Sequence, residues 1–235
     1  MKRASLVLIA TALLTAATAF AQEGFLDVIG FPMNSRDEGV VINGVHWATR
    51  NVDRRGFFTE RPEQAGYMWV WDSRMEWYSA EQTERGPLAI GWASQYSRAS
   101  EWREQNNPCP PGWRVPTRQE FETLLDQTKV SSEWTTLNGV AGRRFTDRTT
   151  GASMFLPAGG RWVIENNFNN LIKTDVGTGG FYWTATARTI DEVSASIFQV
   201  HNGTSRFIAD YKTALNSIRP VSDGTLPLSQ TAPAQ

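Results

Sequence analysis

The sequence predicts an α+β fold in which two helices precede a series of short strands, rather than alternating βαβ units. Three observations carry that expectation. Thr117-Arg118-Gln119-Glu120 reads as a capping box, with the Thr117 hydroxyl placed to accept from the Glu120 amide and the Glu120 carboxylate reaching back to the cap. Phe121, Leu124 and Leu125 then form an apolar stripe to about residue 129. Upstream, Trp92, Tyr96 and Ala99 fall at i, i+4 and i+7, which suits a helix over 92–105 stopped before Pro108. Beyond residue 129 helical spacing ceases. Short β-prone runs follow at 142–146, 152–156, 181–186, 193–201 and 215–221, separated by Gly, Asn, Asp and Thr.

At the start of the chain, Lys2 and Arg3 precede an apolar run over 6–17, and Ala19-Phe20-Ala21 supplies a small-x-small cleavage pattern. Together they read as a signal peptide over 1–21, because the run is well short of the roughly 20 residues a spanning helix needs. The expectation is export through a cleavable signal, to the periplasm, the cell surface or the medium, with no transmembrane segment after cleavage. Residues 22–38 form a leader with little pattern, 39–222 the domain, and the Pro-, Ser-, Thr- and Ala-rich stretch 223–235 a flexible tail. Within the domain, Gly39-Val40-Val41-Ile42, Asn43-Gly44 and Val45-His46-Trp47 read as a hairpin on a type I′ turn. Tyr67-Met68-Trp69-Val70-Trp71 reads as a buried strand. Residues 159–180, rich in Gly and Asn, read as a long functional loop.

Composition narrows the chemistry. Loss of Lys2 and Arg3 from 23 basic residues leaves 21 against 24 acidic ones. That near-neutral balance lacks the basic excess of a nucleic-acid binder. Cys109 is the single cysteine, so the domain can form no internal disulfide and must hold together by packing. Ten tryptophans supply large apolar areas for that packing, and most are expected in the core.

The run Asn107-Pro108-Cys109-Pro110-Pro111-Gly112-Trp113-Arg114-Val115-Pro116-Thr117, followed by Glu120 and Phe121, resembles the Fibrobacter succinogenes major paralogous domain family. Segments 41–47, 139–145, 153–161, 179–186 and 217–221 resemble its other parts in the same order, so the likeness spans about residues 39–222. The resemblance implies a C-type-lectin-like fold: two helices, a small twisted antiparallel sheet and a long irregular loop region. It departs from classical lectin domains in lacking their disulfides. The motif itself reads as scaffold: Pro110 and Pro111 fix φ, Gly112 permits a tight turn, and Trp113 points inward. Arg114 belongs to the same run, and Pro116 delivers the chain to the cap at Thr117. Cys109 reads as a small buried hydrophobe. Trp183 and Arg219 stand in the closing segments of the same scaffold.

Catalytic signatures are sparse. His46 and His201 are the only histidines, and one thiol cannot complete a zinc set with them. No G-x-S-x-G elbow occurs. Formylglycine-generating enzymes share the lectin-like scaffold, and resemblance to them would require a pair of reactive cysteines. A glycosidase needs two facing carboxylates, whereas Asp191 and Glu192 are adjacent and read as a charged turn. No cofactor is expected. Calcium is the weaker alternative, since it needs only oxygens such as those of Glu165, Asn166, Asn167, Asn169 and Asp175, but the Glu-Pro-Asn and Trp-Asn-Asp triplets of calcium-dependent lectins are absent.

The resulting expectation is a non-catalytic binding module for a glycan or an extracellular protein. Its site would lie on a loop face formed by 162–180, the turn 187–192 and 202–212. Candidate contacts there are Trp162, Asn166, Asn167, Asn169, Asn170, Asp175, Arg188, Asp191 and Arg206. A structural or tip subunit of a cell-surface assembly is the alternative, and a hydrolase a third reading. The sequence sets no oligomeric state.

Overall fold

Asn43 and Gly44 take positive φ, 45° and 80°, and turn β1 (Val40–Ile42) into β2 (Val45–Trp47), the hairpin that the Asn-Gly pair predicts. The computed structural model describes residues 35–79, 96–165 and 170–225. Its fourteen strands fall into several sheets, with one α-helix and two short 3-10 turns named among these residues. The first sheet adds β14 (Val221–Ser222) beside β2 and β5 (Trp113–Arg114) beside β14, with Val221 opposite Trp47 on one side and Arg114 on the other. A second hairpin joins β6 (Val130–Leu137) to β7 (Val140–Asp147) through Asn138 and Gly139, again at positive φ, and β8 (Ser153–Pro157) completes that three-stranded sheet. The largest sheet runs β10-β9-β11-β12-β13, from β9 (Gly159–Glu165), β10 (Asn170–Val176), β11 (Gly179–Ala187), β12 (Ser194–His201) and β13 (Thr204–Tyr211). β3 (Tyr67–Trp69) pairs with β4 (Glu76–Ser79).

This architecture overturns the predicted C-type-lectin-like α+β fold of two helices, one small sheet and a long loop region. The capping box forms as read: the Thr117 side chain accepts from Glu120 N, and Glu120 Oε2 accepts from Thr117 N at 2.7 Å. However, helix α1 covers only Arg118–Glu122 and decays into a 3-10 turn at Thr123–Leu125. Short polar side chains compete for the backbone there. The Thr123 hydroxyl donates to Glu120 O, and Asp126 Oδ1 accepts from the Thr128 amide, so the chain leaves the helix before β6 begins.

The predicted helix over 92–105 fails for a different reason. Residues 92–95 lie outside the described residues, and 96–103 are not helical, because their backbone is committed to β11. Trp102 N donates to Ala185 O at 2.8 Å, and Ala187 N to Ser100 O at 3.0 Å. Only Glu104–Asn106 turns, as a 3-10 segment. The predicted loop over 159–180 is instead the β9–β10 hairpin, with Trp162 opposite Lys173. The signal peptide over 1–21 and most of the leader and tail lie outside the described residues. Among the described residues no helix is long and apolar enough to cross a membrane.

Tryptophans fill the core. Trp47, Trp69, Trp71, Trp113, Trp162 and Trp183 are buried, and two indoles also pin strands together: Trp183 Nε1 donates to Trp69 O at 2.6 Å, and Trp71 Nε1 to Thr184 O at 2.9 Å. Beneath α1, Phe121 stacks on Phe198 with ring centroids 4.7 Å apart and meets Trp47 at 4.9 Å. The most deeply placed charge is Arg219, which is fully buried. Its Nε donates to Asn51 Oδ1 at 2.8 Å, and its terminal nitrogens to Ala48 O at 3.1 Å and Phe155 O at 2.9 Å. Each acceptor left unpaired in a dry interior costs about 1–3 kcal/mol. Arg219→Ala is therefore expected to lose about 3 kcal/mol or more of unfolding free energy in a urea titration, and a loss below about 1 kcal/mol would contradict the role given to this residue.

Candidate functional site

Those of the expected loop-face residues that are described lie apart. Trp162 is buried, in a core cluster with Met68, Leu171 and Leu215, and offers no surface platform. Asn166, Asn167 and Asn169 lie outside the described residues, and Asn170 enters by its backbone as the first residue of β10, opposite Glu165. Asp175 is exposed, sits at φ 63°, and lies 3.9 Å from Arg161 Nε. Arg188 and Asp191 share the turn before β12 at 3.9 Å, where Asp191 Oδ1 accepts from the Val193 and Ser194 amides. Arg206 lies toward the other end of the β12–β13 pair, its Nε donating to Gln199 Oε1. The described side chains among them, Trp162, Asp175, Arg188, Asp191 and Arg206, do not share one recess. Of the residues weighed for calcium only Asp175 has a described side chain, and among the described residues no three His, Cys, Asp or Glu side chains are grouped to hold a metal.

The proline-rich motif behaves as scaffold. Pro110 O accepts from Trp113 N at 3.0 Å around Gly112 at φ 83°, and the buried Trp113 ring meets Phe58 edge-on at 5.6 Å. Cys109 is buried, and burial pushes its thiol well above the usual range against a small opposing pull from Arg114. Arg114 forms a two-pronged ion pair with Glu120, NH1–Oε2 at 2.9 Å and NH2–Oε1 at 2.6 Å. Burial pushes the Glu120 carboxyl up, but the Arg114 fork and the Thr117 donors outweigh it and hold the group below its usual range.

A recess opens where this motif meets the end of β11. The β11–β12 register shifts between Trp183 and Ala187, and that irregularity turns residues 185–186 out of the ladder. Ala185 N then donates to Pro116 O at 2.6 Å, Arg118 N reaches Thr186 Oγ1 at 3.2 Å, and Glu101 bridges to Thr186. Between these walls lies a cleft of about 380 Å³, lined among others by Glu101, Trp102, Glu104, Arg114, Thr186 and Asp223. Trp102 is half-buried, its ring 5.9 Å from Trp71 in an edge-on arrangement and its Nε1 donating to Asn106 O at 3.0 Å.

Two buried charges of opposite sign hold the 97–107 wall in place. Asp72, with a fully buried side chain at φ 55°, accepts from Arg103 N and Nε at 2.9 and 2.8 Å, from Asn106 Nδ2 at 3.1 Å, and from the Ser97 hydroxyl. Lys212, 1 % exposed, donates from Nζ to Ser97 O and Ala99 O, both at 3.0 Å, and lies 4.5 Å above the Trp71 ring. Burial pushes the Lys212 ammonium below its usual range, and the nearby acids Asp191, Asp72 and Glu192 counter that in part. Neither residue carries a sequence signal beyond its charge. Trp102 could have been found as an aromatic inside a polar stretch, Glu101-Trp102-Arg103-Glu104, had that stretch not read as helix.

Searches of family models, curated proteins and solved structures return no match to this chain.

Two outcomes are expected of these ionisations. A carboxyl whose folded pKa is depressed stabilises the fold above its unfolded value, near 4.3, and loses that contribution as pH falls through the folded value. The acid limb of a stability–pH profile should therefore flatten in Glu120→Gln, and an unchanged limb would contradict the Arg114–Glu120 assignment. Cys109 should resist an aromatic disulfide reagent in the folded protein and react once denaturant is added; rapid modification of the native thiol would contradict its burial.

Proposed function

We propose that the chain is an exported, non-catalytic binding module that holds a glycan in the cleft beside Trp102. The observation that carries this reading is a half-buried indole fixed by its own hydrogen bond in the wall of an open, polar-edged recess. The cleft volume falls within the range of about 300–1,000 Å³ usual for small-ligand sites. A flat aromatic face can pack against the C–H side of a sugar ring while carboxylates, Thr186 and the guanidinium edges meet its hydroxyls. The walls are pre-formed: the bulged end of β11, the capped start of α1, and the segment tied to Asp72 and Lys212. Preorganisation of that kind lowers the ordering cost of binding.

Export rests on residues 1–21, and kinship with the Fibrobacter succinogenes major paralogous domain rests on the ordered segments quoted above. One observation favours an assembly subunit as the second reading. β6 and β13, each of eight residues, are edge strands of their sheets, and such edges template pairing with another chain.

A glycan array followed by calorimetry tests the first reading. Trp102→Ala should weaken any sugar found by at least about tenfold, close to 1.4 kcal/mol. Retention of full affinity, or the absence of any sugar ligand together with self-association in a mass measurement, would move the assignment to the assembly reading.

A further inference from the structure

We infer that the cleft selects glycans carrying a free amine, that is, amino sugars that present an ammonium group; this rests on the glycan reading above. The inference follows from the charges in the lining. Arg103 is exposed for half its side chain, yet it is neutralised from behind by Asp72, with NH2–Oδ2 at 2.8 Å. Arg114 is likewise matched by Glu120 at 2.6 Å. Both guanidiniums thus arrive in the cleft with a carboxylate of the protein's own.

Glu101 and Glu104 have no such partner, and Asp223 adds a second carboxylate near an Arg114 already matched by Glu120. All three line the recess, all three are exposed, and none forms an ion pair among the described residues. Asp223 has one oxygen occupied by the amide and hydroxyl of Thr225, at 2.8 and 2.6 Å, which leaves the other for a ligand. The cleft therefore carries more carboxylates than its two guanidiniums balance, in one concavity where low-dielectric walls concentrate the field.

The kind of cation that suits the cleft follows from the carboxylates and from Trp102. The carboxylates are not gathered into a metal-holding group among the described residues, so a bare divalent ion has no ready shell. An organic ammonium needs no such shell and can pair with a single carboxylate. It also gains from the indole face, to which cations are attracted by about 0.5–2 kcal/mol. A neutral sugar leaves that excess unmatched, and an acidic sugar meets it as like charge.

The test uses the mature protein in mildly acidic, low-salt buffer, with three probes of equal length: a glucosamine oligosaccharide, its fully N-acetylated form and a neutral glucose oligosaccharide. The glucosamine probe should bind at least about tenfold more tightly than the other two, and its affinity alone should fall steeply as salt is raised. Glu101→Gln and Glu104→Gln, both exposed changes that preserve shape, should each shrink the preference toward unity, whereas Arg206→Gln, outside the cleft, should leave it intact. Equal binding of the amine and acetylated probes overturns the amine selectivity while the glycan site stands. Binding of a lysine-rich peptide with no sugar bound at all overturns both.

Discussion

Arg219 donates at once to Asn51 and Ala48 near the start of the domain and to Phe155 in β8, from a position just before β14. Three stretches of chain far apart in sequence therefore meet on one guanidinium. The group is taken fully out of water with no ion pair of its own among the described residues, and burial lowers its pKa to about 10 against smaller opposing pulls that include Asp37. It remains a cation at neutral pH, and its hydrogen bonds all go to neutral oxygens rather than to a carboxylate. A planar fork with fixed donor directions suits that task, whereas a lysine would supply a single point of attachment. Tyr182 lies in the same interior, its hydroxyl donating to Pro157 O at 2.6 Å, and burial raises its pKa far enough to keep it neutral. Much of the contact between the sheets that flank this point is apolar and non-directional; the arginine and the Tyr182 hydroxyl supply direction.

The same use of buried charge recurs at the cleft, with a different result. Asp72 and Lys212 are both withdrawn from solvent, and each spends its hydrogen bonds on the segment that carries Trp102. That segment has little regular structure to hold it, only a 3-10 turn and two backbone bonds to β11. Its position is thus set by electrostatics from beneath rather than by a ladder. The irregularity in β11 has the complementary effect from above, since it frees Ala185 and Thr186 to face the motif instead of β12. A recess results where a regular sheet would have closed the gap.

Much of the strand content was legible, because turn chemistry is local. Asn43–Gly44 announced its hairpin, and Asn138–Gly139 carries the same signal for β6 and β7, although only part of β7 was read as strand. The capping box at Thr117 was read to the atom, but its helix was drawn too long, since side chains of Thr123 and Asp126 intercept the backbone before a third turn can form. The helix over 92–105 was inferred from apolar spacing, yet Ser100 and Trp102 pair with β11, a partner far along the chain that no window of residues contains. Glycines and asparagines over 159–180 suggested a loop; they instead serve a hairpin in which Gly160 takes a positive φ. The site was less legible than the fold. Asp72, Lys212 and Arg103 become a unit only through the tertiary structure.

The place of β14 carries a further implication. β14 completes the sheet that begins with β1 and β2, and it brings Arg219 to its three acceptors, so the first hairpin waits for almost the last described strand. Such long-range closure slows folding, because the entropy of a large loop must be overcome before the contacts it enables are made. For a chain exported as proposed here, that delay is an advantage. A polypeptide that threads a translocation channel must stay unfolded while it passes, and a domain locked by its last described strand cannot close before that strand has emerged.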